Sequence, residues 1–193
     1  MLSIQKQGRS IIEIKKSKFI GLSYFVSNKN DVDEIIDSIK EEYKDATHCC
    51  FAYVLRGVEK CSDDGEPSGT AGRPILNVIK NKKLFNVLVC CVRYFGGEKL
   101  GAGGLVRAYT KSATSSLDNA EICELNEMCK VKFKININDA FNVYSLSKKF
   151  NFNIVSNENG DFLLTCKAED RTMLENLLLN LNVSDIEWEE IYG

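Results

Sequence analysis

The chain has 193 residues, 44% hydrophobic and 27% charged, with a formal net charge of −2, a balance that excludes disordered, collagen-like and coiled-coil classes. Its one histidine, His48, excludes any zinc, iron or phosphotransfer site that needs two histidines from one copy. Its two prolines, Pro67 and Pro74, leave no Pro-rich linker.

In chain order, strand-like runs come first, at Ile11 to Ile14 and Phe19 to Val26, the second apolar on both faces. Asn30 reads as the N-cap of a helix with Asp33 at the reciprocal position. Val32, Ile35, Ile36, Ile39 and Tyr43 then recur at helical spacing. HCCFAYVL, from His48 to Leu55, is a further strand, and VLVCCV, from Val87 to Val92, a central one buried on both sides. Between them SDDGEPSGTAGRP, from Ser62 to Pro74, has no periodicity and is dense in turn residues, which predicts a long structured loop. Glycines then run to Gly104, after which Leu105, Ala108, Tyr109, Ser112 and Ala113 repeat at helical spacing. This small-faced helix is expected to lie tight on the sheet, its amino terminus opening out of the glycine-rich loop.

A second unit follows. Val131, Phe133, Ile135 and Ile137 alternate with polar residues as a half-exposed strand. Asp139 to Phe150 reads as a helix, Asn153 to Ser156 as a short strand, Asn159-Gly160 as a hairpin turn and Phe162 to Ala168 as the next strand. Asp170 is expected to cap a helix carrying Leu174, Leu177, Leu178 and Leu181, and Ile186 and Trp188 alternate with acids in a last strand. The order β-α-β-β-α-β matches a ferredoxin-like fold. The expected boundary lies near Ile122 to Asn126, giving domains 1–122 and 123–193. Up to Ile122 the chain carries 18 basic and 15 acidic residues, and from Cys123 it carries 7 and 12. The mildly basic first unit permits a polyanionic partner without having the charge of a dedicated nucleic-acid-binding domain.

The eight cysteines include the neighbours Cys49-Cys50 and Cys90-Cys91 and no CxxC pair. Adjacent strand residues point to opposite faces, so these read as small hydrophobes of a reducing, cytoplasmic compartment, with Cys49 or Cys50 beside His48 as a less favoured thiol nucleophile. The amino terminus has no signal-like apolar run, and no stretch is long enough to span a membrane.

Two segments carry unusual chemistry. Asp63, Asp64 and Glu66 lie within four positions, followed by Ser68, Gly69, Thr70, Gly72 and Arg73. Such acids either stay solvated and accept loop amides, or share a cation such as magnesium. His48 is expected to support the strand or bond this acidic loop. The other segment holds Gly96, Gly97, Lys99, Gly101, Gly103 and Gly104 at a helix start flanked by Arg93 and Arg107. Unpaired amides and close backbone approach suit an anion there, while tight packing of a strained turn explains the same glycines without one. The segment is neither a Walker A loop nor a dinucleotide fingerprint.

DATHCCFAYVL (Asp45 to Leu55), SDDGEPSGTAGRPIL (Ser62 to Leu76) and NVLVCCVRYFGGEKLGAGGLVRAY (Asn86 to Tyr109) resemble the signature blocks of the YigZ/IMPACT family, and SKFIG (Ser17 to Gly21) resembles its amino-terminal block. The resemblance implies an α+β chain whose first domain is of the ribosomal protein S5 domain 2-like class, a sheet with helices on one face. It also implies a ferredoxin-like second domain similar to domain V of elongation factor G. The eukaryotic members regulate translation in amino-acid starvation, and some bacterial members carry a dipeptidase label for which this sequence has no metal pair or catalytic triad. Small-molecule kinases of the same superfamily hold phosphates on a glycine-rich helix start.

Three expectations follow. The leading one is a non-enzymatic cytoplasmic translation or stress regulator binding RNA or a ribosome-associated partner through the first domain. The alternative is a phosphate- or nucleotide-binding protein or enzyme using Gly96 to Gly104, with magnesium on the Asp63, Asp64 and Glu66 loop. A third treats Tyr94, Phe95 and Tyr109 as anchors for a protein partner.

Overall fold

The structure, a computed structural model, describes residues 1–136, 140–150, 152–156, 160–181 and 183–192. Ile137, Asp139 and Asn159, which figure in the expectations above, lie outside the described residues. The chain divides into two compact units, Met1–Glu124 and Leu125–Gly193. It is α+β throughout.

In the first unit β2 (Gly8–Ile14), β3 (Ser17–Phe25), β4 (His48–Leu55), β5 (Val58–Ser62) and β6 (Val87–Tyr94) form an antiparallel sheet of order β2-β3-β6-β4-β5. VLVCCV sits at its centre because every one of those side chains meets a covered face. α2 (Gly72–Asn81) and α3 (Gly101–Asp118) pack one face through Ile75, Ile79, Leu105, Ala108 and Tyr109. α1 (Lys29–Glu42) packs the other through Val32, Ile36 and Ile39, each such burial contributing roughly 1.5–3 kcal/mol. Helices therefore cover both faces, where the resemblance implied one. A short ribbon of β1 (Leu2–Lys6) and β7 (Glu121–Glu124) completes the unit.

Several local expectations shift. The N-cap of α1 is Asn28, not Asn30: its Oδ1 accepts the Asp31 N–H at 3.0 Å, and Asp31 Oδ2 accepts Ser27 N–H at 2.7 Å. The reciprocal cap is present two residues early, because Lys29 and Asn30 continue into the first turn. The loop ends at Ala71 rather than Pro74, since Gly72, Arg73 and Pro74 form the first turn of α2, where a proline's missing N–H has no intrahelical partner to lose. α3 starts at Gly101, so its glycines belong to its first turn.

In the second unit β8 (Glu127–Ile135), α4 (Ala140–Phe150), β9 (Asn153–Ser156), β10 (Asp161–Lys167), α5 (Arg171–Leu179) and β11 (Val183–Tyr192) follow one another, and the antiparallel sheet has order β11-β8-β10-β9. Phe133, Phe162, Leu164, Val143 and Leu174 fill its core. Asp170 stands at the N-cap of α5 but makes no side-chain capping bond, because a one-turn 3-10 segment at Ala168–Asp170 leads into the helix instead. Among the described residues no helix is long and apolar enough to cross a membrane.

Candidate functional site

The acidic loop is organised by Asp63. Its Oδ1 accepts the Ala71 and Gly72 N–H groups at 3.0 and 2.8 Å, and its Oδ2 accepts Gly69 N–H at 2.8 Å. Ala71 has no side chain to cap α2, so Asp63 caps it from eight residues away. Burial pushes the Asp63 carboxyl up, but the three N–H donors outweigh it and hold the group below its ordinary value. Asp64 turns the other way, its Oδ2 accepting Cys49 N–H at 2.6 Å. Thr70 donates its hydroxyl to the Pro67 carbonyl at 2.6 Å, while Ser68 and Arg73 are exposed.

These turns drive Glu66 inward. Its side chain is 3% exposed, and its Oε1 accepts Arg93 Nη1 at 2.6 Å and the Tyr109 hydroxyl at 2.7 Å. Arg93, 6% exposed, has its guanidinium 5.4 Å from the ring centres of both Phe19 and Phe95. Its Nη2 reaches Ser17 Oγ at 3.4 Å, and its Nε is buried without a partner. Tyr109 is buried against Phe19 edge to face, and burial first, then Cys50, pushes its phenol far up, so it remains a donor. The basic charge expected of Arg93 is thus balanced by Glu66. Tyr109, expected as an exposed anchor for a partner, is fully buried because it faces the sheet from α3.

The three carboxylates do not converge: Asp63 holds the start of α2, Asp64 a strand amide and Glu66 an arginine. Among the described residues no three His, Cys, Asp or Glu side chains gather to hold a metal. The thiols are equally occupied. Cys50 is buried, its Sγ 3.0 Å from the Asp63 carbonyl, and burial pushes its thiol up. Cys49 points to the α1 face, away from His48.

The glycine-rich segment closes on this loop. Phe95 N–H donates to Thr47 Oγ1 at 2.9 Å, and Gly96 N–H to Ser17 Oγ at 3.2 Å. A Cβ on Gly96 would lie 2.0 Å from the Lys16 carbonyl carbon, so only glycine allows the strand end to rest on the β2–β3 turn. Gly101 enters α3 at φ +69 with nothing near its missing Cβ, and no side chain caps the helix. Gly97, at φ +86, bends the loop before the helix, and Gly103 and Gly104 lie in its first turn, with Arg107 Nη1 3.6 Å from the Cβ position of Gly103. Lys99 and Arg107 are exposed and form no ion pair among the described residues.

The result is one cleft of about 430 Å³ lined by Thr47, His48, Glu66, Pro67, Arg93, Phe95, Lys99, Leu100, Gly101, Ala102 and Leu105. Of the residues singled out in the sequence, His48, Glu66, Arg93, Lys99 and Gly101 line it. Asp63, Asp64, Ser68, Thr70, Arg73, Gly96, Gly97, Gly103, Gly104 and Arg107 build its walls or stand outside. Phe95, expected as a protein-docking anchor, lines it too, whereas Thr47, Leu100 and Leu105 are lining residues that carry no chemical signal in the sequence. The positive rim and the neutralised floor suit an anion with an apolar part.

A family profile described as the Impact N-terminal domain matches residues 15–117, more than half the chain and every cleft residue. The chain belongs to the IMPACT family. It is 44% identical over 125 residues to IMPACT family member YvyE of Bacillus subtilis, covering 63% of this chain and 58% of that protein, little more than half its length. It is 37% identical over 133 residues to the IMPACT family member in pol 5'region of Thermus thermophilus, covering 69% of this chain and 73% of that one. A crystal structure of a hypothetical protein, 26% identical, aligns over 96% of this chain and 97% of its own with a TM-score of 0.71.

Proposed function

We propose that this IMPACT chain is a cytoplasmic regulator of translation that holds single-stranded RNA, free or on the ribosome, in the cleft of its first unit. The observation that carries the reading is the convergence of two segments distant in sequence, the Ser62 to Ala71 loop and the start of α3, on one cleft. Phe95, 46% exposed, offers a ring face on which a base can stack. The uncapped amides of α3 with Lys99 and Arg107 offer a phosphate its counter-charge. The regulatory part of the proposal comes from the family resemblance, which implies a role in translation among the eukaryotic members. For the second unit, the strand order β11-β8-β10-β9 around α4 and α5 supports the ferredoxin-like class.

The test is fluorescence anisotropy with a labelled single-stranded RNA, alongside co-sedimentation with ribosomes, for the wild type and a Lys99→Glu, Arg107→Glu variant. Both substitutions are on exposed side chains, so the fold is preserved. Each lost phosphate contact should lower the salt slope by about 0.7. Equal binding by the two proteins at low salt, or none by either, overturns the reading. Titration with ATP, with and without magnesium, separates RNA from a free nucleotide.

A further inference from the structure

Stacking and phosphate contact do not use the His48 imidazole, which also lines the cleft. Its Nδ1 lies 2.8 Å from the Asp64 carbonyl oxygen, a group that only accepts, so Nδ1 carries a proton. In the neutral ring Nε2 then presents a lone pair. The Glu66 carboxylate stands behind it, Oε2 at 3.9 Å from Nε2, beyond hydrogen-bond distance. The His48 side chain is 21% exposed, and the exposure opens onto the cleft. A ring fixed through one nitrogen, with the other free in a ligand site and a buried carboxylate beside it, has the arrangement of a general base.

We propose that His48 takes a proton from a ligand hydroxyl in the cleft, and that, for a ribonucleotide chain whose phosphate rests at the start of α3, this is the adjacent 2′-hydroxyl. The inference rests on the RNA reading above and adds a reaction to it. As His48 Nε2 accepts the 2′-hydroxyl proton, the O2′–P bond forms and the P–O5′ bond breaks. The leaving O5′ takes a proton from water, and the resulting hydroxide is neutralised by the imidazolium proton. The products are a 2′,3′-cyclic phosphate and a 5′-hydroxyl end, which together have the composition of the RNA cut, so no oxidant or second substrate is needed. Charge developing on the phosphoryl oxygens faces Lys99 and the first-turn amides of α3, and the imidazolium faces Glu66.

The experiment uses the full chain in excess over an end-labelled single-stranded RNA, with anisotropy and product length read from the same samples. Wild type, His48→Gln and His48→Ala are compared, together with the all-2′-deoxy oligonucleotide. The expected result is cleavage to cyclic-phosphate ends by the wild type, with the deoxy strand bound but uncut. His48→Gln should bind within about twofold yet cleave about 100-fold or more slowly, the usual worth of a general base. RNA that is bound but never cut, or cut equally by both variants, overturns the catalytic role and leaves the binding reading standing. RNA that does not bind removes both.

Discussion

Glu66 and Arg93 meet at 2.6 Å in a position where neither is more than 6% exposed. The register explains the meeting. Arg93 of β6 pairs directly with His48 of β4 and with Phe19 of β3, so its side chain leaves the sheet toward α3, where the acidic loop turns Glu66 in. Breaking one half of such a pair leaves the other buried and uncompensated. Arg93→Ala and Glu66→Ala should each lower the stability of the first unit by about 3–5 kcal/mol in urea denaturation. The double variant Glu66→Ala, Arg93→Ala should lose much less than the two losses added. Strict additivity would show that the pair is not coupled.

Asp63 ties stability to acid. Its folded carboxyl lies below the ordinary 3.8 because, against the upward push of burial, it accepts three N–H groups. A depressed folded value means the contribution is fully present above the unfolded value and is lost as pH falls through the folded one. The stability gap between wild type and Asp63→Ala, about 1 kcal/mol for a lost helix cap, should therefore be constant from pH 7 to 5 and shrink below about pH 4. A gap that grows in acid contradicts the assignment.

Phe95 separates recognition from folding. Phe95→Ala should weaken RNA binding by about 1–3 kcal/mol, the worth of one stacked base, whereas Phe95→Trp keeps or improves it. Identical affinities for the alanine and tryptophan variants would remove the ring from the binding site.

Glycine substitutions should divide by cause. Gly96→Ala drives a methyl into the Lys16 backbone, and the β2–β3 turn must move to admit it. Gly101→Ala meets open space and bears only its left-handed backbone, about 1–2 kcal/mol. Thermal denaturation of the two variants should show the larger loss for Gly96→Ala.

The eight free thiols should also sort themselves. Cys61 and Cys123 are half-exposed and the other six are buried. Burial pushes Cys91 up to about 12 and Cys166 up to about 11. Mass spectrometry after brief alkylation at pH 8 should find label on Cys61 and Cys123 in the folded protein, and on the remaining six only after denaturation.

Legibility followed how local each signal was. β4 and β6 are plain in the sequence because a strand covered on both faces must be apolar at every position. α2 is hidden because Gly72 and Pro74 punctuate its first turn, and the carboxylate that caps it lies eight residues upstream. β5 is hidden as an edge strand of mixed polarity, and β1 and β7 as short pieces distant in sequence that pair with each other. The acidic and glycine-rich segments stand out by composition. Their convergence does not, since it depends on the pairing of β4 with β6 and on Tyr109 facing inward, which no neighbouring residue announces.

The alignment of His48 with Arg93 across β4 and β6 makes the cleft an all-or-none product of strand pairing. Side chains alternate between faces, so a slip of β4 by one residue would bring Cys49 to the cleft and send His48 to the α1 side. A mispaired intermediate would lack the cleft altogether rather than hold a weakened version of it. Recovery of ligand binding during refolding therefore reports the moment at which the central strands reach their final register.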